Sequence, residues 1–103
     1  MSGFSLRVRL SIGEIERYRI SGWRGLCSFE GIVAPDGANL FGCELTLEDA
    51  DQFTAGQEVL ASLWFWAPQS YAPGLAPGLA VRLFEGPHEI ASGVIVDVNS
   101  DSN

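Results

Sequence analysis

In Phe4-Ser5-Leu6-Arg7-Val8-Arg9-Leu10-Ser11-Ile12 every second side chain is apolar, and each one between is Ser or Arg. A period of two puts the apolar set on one face of an extended strand and the polar set on the other. The same spacing on a helix would scatter the apolar residues around its circumference. Gly13 ends the run, and the pattern that it sets returns along most of the chain. Glu16, Tyr18 and Ile20 alternate with Arg17 and Arg19 between Ile15 and Ile20. After Ser21-Gly22 a third strand is predicted over Leu26 to Val33, with Cys27, Phe29, Gly31 and Val33 on one face. Phe41, Cys43, Leu45 and Leu47 alternate with Gly42, Glu44 and Thr46 in a fourth.

Punctuation between these runs is specific. In Ala34-Pro35-Asp36-Gly37-Ala38-Asn39 the proline sets φ for a turn and Asp-Gly supplies the reversal. Thr46, followed three residues on by Asp49, predicts a cap for one short helical turn that Ala55-Gly56 would end. Glu58 to Ala67 is the most apolar stretch and reads as a buried strand through its shortness and aromatic content. Pro68 to Leu79 contains Ala-Pro-Gly-Leu twice over and reads as a loop. Leu79–Glu85 and Glu89–Val98 form a hairpin joined by Gly86-Pro87-His88. In its second strand Ile90, Ser92, Val94, Val96 and Val98 alternate with Ala91, Gly93, Ile95 and Asp97. About seven strands with no convincing helix place the chain, as a single all-β domain, among small sandwiches and barrels, and closure into a barrel has the attraction of removing exposed edges. The core is expected over residues 4–98, with 99–103 a frayed polar tail.

Composition narrows the functional classes. The chain has 103 residues, 47% hydrophobic and 18% charged, which fits one packed globular domain. It carries six arginines, no lysine and thirteen acids, for a net charge of −7. That balance argues against tight nucleic-acid binding, which neutralises phosphates with Lys and Arg. No apolar run reaches the roughly 20 residues of a membrane helix. The N-terminus lacks the basic start and apolar stretch of a secretory signal, so the expected location is cytoplasmic. Cys27 and Cys43 belong to no metal-ligand spacing. A disulfide between neighbouring strands is open to them; two small buried thiols suit a reducing compartment.

Several segments resemble the third, C-terminal barrel domain of elongation factor Tu. Ile20-Ser21-Gly22-Trp23-Arg24-Gly25-Leu26-Cys27-Ser28-Phe29 is similar to that family's "sGYRPqFyf", and Ala55-Gly56-Gln57-Glu58-Val59 to its "PGd-x-V" turn. Gly78 to Gly86, followed by Ile90-Ala91-Ser92-Gly93-Val94-Ile95, resembles its closing "GlrFaiREGgrtvGaGvV". The resemblance covers residues 5 to 98 and implies a Greek-key antiparallel barrel of six to seven strands. The departures are equally plain. A phosphate-binding Gly-x-x-x-x-Gly-Lys-Ser/Thr loop is excluded in a chain without lysine, so the GTPase engine is absent. Gly25 stands where the family has proline. The "GGRHTP" segment that contributes to the aminoacyl-tRNA contact has no clear counterpart in Gly13 to Arg17, so tRNA binding does not carry over.

No catalytic constellation emerges from the residues. His88 is the only histidine and falls in a turn, where a solvated side chain is the ordinary reading. Glu30, Asp36, Glu44, Glu48, Asp49, Asp51 and Glu58 lack calcium-loop spacing and read as a solvated acidic face. No metal or cofactor is therefore expected. Binding features are stronger. Residues 1–24 hold five arginines against two glutamates, net +3, and the remainder is net −10. Arg7/Arg9 and Arg17/Arg19 would share one outer surface if their strands were adjacent; cross-strand pairing with the chain's own acids is the alternative. Trp64 and Trp66 lie on one strand face with Phe65 opposite, so one set must point outward. Outward tryptophans would make a partner surface. Inward ones would be core, with Phe65 covered by the Ala-Pro-Gly-Leu loop. The candidate interface is Trp23, Arg24, Trp64 and Trp66 with Arg17 and Arg19. The expected function is a non-catalytic protein-binding barrel of adaptor or immunity type, or a self-associating one. Alternatives are a small-molecule-binding or hydrolytic barrel using Glu44, Glu48 or His88, and a translation-related RNA binder suggested by the resemblance alone.

Overall fold

The computed structural model describes residues Gly3 to Asn99. The strands are β1 (Phe4–Ile12), β2 (Arg19–Ile20), β3 (Trp23–Phe29), β4 (Phe41–Leu47), β5 (Gln52–Phe53), β6 (Glu58–Phe65), β7 (Ala80–Glu85) and β8 (His88–Asn99). Six of them close a barrel in the order β1-β6-β4-β3-β7-β8, every pair antiparallel, while β2 and β5 pair separately. β3, β4 and β6 run as a meander, and β1 lies beside β6. That is a Greek-key order. The expected fold class is thus the one observed. Of the expected frayed tail, Asn99 is the last residue of β8, and 100–103 lie outside the described residues.

The period of two translates directly into an interior. Phe4, Leu6, Val8 and Leu10 of β1 meet Leu45, Leu63, Leu83 and Ile95 from the other barrel strands, all essentially inaccessible to water. No polar residue is buried among the described residues. Phe53, from the short β5, is fully buried and extends the core beyond the barrel strands. Cys27 and Cys43 are free, buried thiols on the inner faces of neighbouring strands. Cys27 pairs with Phe41 and Gly25 with Cys43, which sets the two cysteines diagonally across the β3–β4 ladder. Burial, then the adjacent Cys43 thiol, pushes the Cys27 thiol far above the ordinary cysteine value.

Five local expectations are corrected. Between Ile15 and Ile20 only Arg19–Ile20 is strand, because its partner β5 supplies just two residues of ladder. The third strand runs Trp23–Phe29, earlier than predicted. Gly22, at φ 95°, turns the chain into it, and Gly31, at φ 75°, turns the chain out before Val33, which is exposed. Helical turns are absent between Thr46 and Thr54 in the described structure; the chain bends and forms β5 instead. His88 begins β8 opposite Glu85, leaving a two-residue hairpin with positive-φ Gly86 first. The unbroken alternation of the last strand is interrupted by register shifts opposite Arg7/Val8 and Leu83/Phe84. Each shift inserts one residue and moves the side chains beyond it to the other face. Ile90 and Ala91 are consequently both buried, Ile95 is buried, and Val94 points outward.

Candidate binding face

One rung of side chains crosses three strands on the barrel's outer surface: Arg24 on β3 faces Glu44 on β4, which faces Trp64 on β6. The inner positions of β6, namely Val59, Ala61, Leu63 and Phe65, are all buried. Trp64 is therefore turned outward, and Trp66 beyond the strand end is 45% exposed. This resolves the choice left open by the Trp-Phe-Trp alternation. Phe65 is core, stacked on Phe4 with ring centroids 4.7 Å apart, and the tryptophans are outside. Trp64 is half-buried because its six-membered ring lies over Gly3, where a β-carbon would stand 2.2 Å from it.

Arg24 ties the face together. Its Nε donates to Glu44 Oε1 at 2.8 Å, and its guanidinium carbon lies 5.2 Å from the centroid of the Trp66 ring. Its side chain remains 72% exposed. A guanidinium over an indole is attracted by the negative face of the ring, which orders both side chains ahead of any contact with a partner.

The other candidates are placed elsewhere. Trp23 is only 8% exposed; its ring lies against Gly25, and its indole N–H donates to Glu85 Oε2 at 2.9 Å. Arg19 grips the same carboxylate through Nε at 2.9 Å and Nη2 at 2.6 Å. Those two donors hold Glu85 well below the usual carboxylate range, at about 2. Trp23, Arg19 and Glu85 thus form a clamp joining β3, β2 and β7. Arg17 is exposed and makes no ion pair among the described residues. The arginine pairs do not unite on one sheet surface, because β2 pairs with β5 and β1 with β6 and β8. Arg7 instead binds Glu48 through both carboxylate oxygens, at 2.7 and 2.9 Å. Arg82 approaches Glu89 at 3.7 Å. Cross-strand and loop pairing with the chain's own acids accounts for four of the six arginines.

The residues weighed for hydrolysis are not brought together. Glu44 and Glu48 lie on the outer surface in the grip of Arg24 and Arg7, whereas His88 lines a cleft of about 680 Å³ with Glu14, Glu16, Glu85 and Glu89. No group of three His, Cys, Asp or Glu side chains among the described residues is arranged to hold a metal ion. No helix among them is long and apolar enough to cross a membrane.

Next to the tryptophan face lies a feature the sequence reading missed. Phe4, Leu40, Phe41, Gly42, Phe65, Ala67 and Tyr71 line a pocket of about 180 Å³ where β4 and β6 part. Gly42 on an outward position of an otherwise regular strand was its one visible signal. No protein-family description matches this chain, and no curated protein matches it at a significant level.

Proposed function

We propose that this chain is a non-catalytic binding module that engages another protein through the face built by Trp64, Trp66 and Arg24. The observation that carries this reading is the 45% exposed Trp66 with the Arg24 guanidinium 5.2 Å from its ring, beside an outward Trp64. Tryptophan and arginine are the residues most enriched among interface hot spots, and an ordered pair loses little entropy on docking. The acidic balance of −7 favours a partner with a basic surface, which is the pattern of an adaptor or immunity protein that recruits or neutralises one target. The closed Greek-key barrel is compatible with the resemblance to the third domain of elongation factor Tu. That resemblance is the sole support for an RNA-binding role, and the charge opposes it. A cytoplasmic location is part of the same proposal.

The test is capture of binding proteins on immobilised wild-type chain and on Trp66→Ala and Arg24→Ala variants, with solution mass measured across concentration. A protein retained by the wild type and lost by both variants supports the reading. Retention that both variants preserve refutes it. A concentration-dependent dimer abolished by Trp66→Ala assigns the face to self-association.

A further inference from the structure

The β4–β6 ladder ends at the pair Glu44↔Trp64, although both strands continue past it. β4 extends to Phe41 in its pairing with β3, and β6 to Phe65 in its pairing with β1. The barrel wall therefore opens at this end, and the gap is the pocket of about 180 Å³. Leu40 and Trp66, each 45% exposed, stand beside it. The walls are held by one another. Phe4 stacks on Phe65 at 4.7 Å, and Tyr71 meets Phe41 edge-on at 5.9 Å. The Tyr71 hydroxyl also donates to Asp36 Oδ2 at 2.7 Å. The cavity is thus preformed, which lowers the ordering cost of binding.

Its size and charge define the occupant. Pockets that enclose a whole small molecule measure about 300–1,000 Å³, so this one suits a single side chain. The side chains that line it are apolar or aromatic, with polar atoms exposed between them, which favours Leu, Met or Phe. One carboxylate with no arginine partner among the described residues flanks it: Asp36, one hydrogen bond from the Tyr71 wall; Glu44, two residues from Gly42, is already paired with Arg24. The Tyr71 and Ala38 donors hold the Asp36 carboxyl below its ordinary value, so it stays anionic. A second copy of the chain would bring another −7 to the contact, which opposes self-docking. We propose that the pocket receives one apolar side chain from a basic segment of a partner protein, with a neighbouring Lys or Arg meeting Asp36. This rests on the protein-binding reading above and specifies the anchor that reading leaves open.

The experiment titrates isotope-labelled protein with the capped peptide Gly-Lys-Phe-Lys-Gly and reads the Gly42 amide and Trp66 indole resonances. Two further peptides replace Phe by Ala, or both Lys by Glu. The Phe peptide is expected to shift both resonances saturably, and each substituted peptide to bind at least tenfold more weakly. Gly42→Leu, placed where an added β-carbon meets nothing within 4 Å, should weaken binding of the Phe peptide at least tenfold without unfolding the chain. Asp36→Asn should weaken it several-fold. Absence of a saturable shift overturns the proposal, as does equal binding of the Ala peptide. Binding that shifts Trp64 and Trp66 but ignores Gly42→Leu overturns the pocket and leaves the wider face standing. A pocket that binds the peptide in a chain whose Trp66→Ala capture is unaltered overturns the wider reading instead.

Discussion

Gly25→Ala is the sharpest test of how the barrel end is closed. The added β-carbon would stand 2.2 Å from Cη2 and 2.4 Å from Cζ2 of Trp23, and 2.9 Å from the Phe84 carbonyl oxygen. The indole must move, and its 2.9 Å hydrogen bond to Glu85 goes with it. Overpacking of this kind costs about 1–3 kcal/mol. A hydrogen bond to a charged acceptor is worth about 1.5–3 kcal/mol. The lower end applies, since the Glu85 side chain is 42% exposed and screened by water. Alanine restricts the unfolded chain and returns about 0.4–1 kcal/mol. The net expectation is a loss of about 2–4 kcal/mol. With a urea slope of about 1 kcal/mol per molar for a small domain, the unfolding midpoint should fall by about 2 M or more. Gly42→Ala is the matched control, being the same chemical change in the neighbouring strand where the β-carbon meets open space. It should be neutral or stabilising by up to about 1 kcal/mol. The assay is urea unfolding followed by tryptophan fluorescence and circular dichroism. If the two variants unfold within about half a kcal/mol of each other, the packing argument is wrong.

Two further outcomes come from the titratable groups. Glu85 is lowered from 4.5 to about 2 by Arg19 and Trp23, so it binds its proton more weakly folded than unfolded. Its contribution to stability is complete above about pH 4.5 and lost as pH falls toward 2. Glu85→Gln should therefore lower the melting temperature at pH 7 and lose that deficit by pH 2; a deficit constant with pH would contradict this. Cys27, raised by burial and by Cys43, should be inert to a thiol reagent in the native barrel. Both thiols should react once urea unfolds the chain, and rapid modification of native protein would show that the β3–β4 seam opens.

The alternation of Phe4 to Ile12 and of Phe41 to Leu47 was sufficient to specify strands and their inner faces, because a side-chain period of two has a single extended solution. Closure into a barrel and not a sandwich lies in the strand order, which alternation does not encode. The turn at Asp36-Gly37 was equally legible. Its carboxylate accepts from the Ala38 N–H at 3.0 Å, an interaction only two residues long. Local chemistry of this kind needs no knowledge of the rest of the chain.

Tertiary structure decided the features that depend on distant neighbours. Trp23 and Trp64 look alike in sequence, yet one faces inward onto Gly25 and Glu85 and the other outward over Gly3. Their direction is set by the register of β3 and β6 against β4, which no local pattern encodes. The arginines went the same way. Arg19 lies 66 residues from Glu85 and Arg7 lies 41 from Glu48, so pairing with these acids removed the arginine face that spacing allowed. In the last strand, two inserted residues reset which side chains are buried, because each bulge reverses the face of everything beyond it. The pocket beside Trp66 exists because a ladder stops at Glu44↔Trp64 while its strands run on, and only the closed barrel sets where that happens.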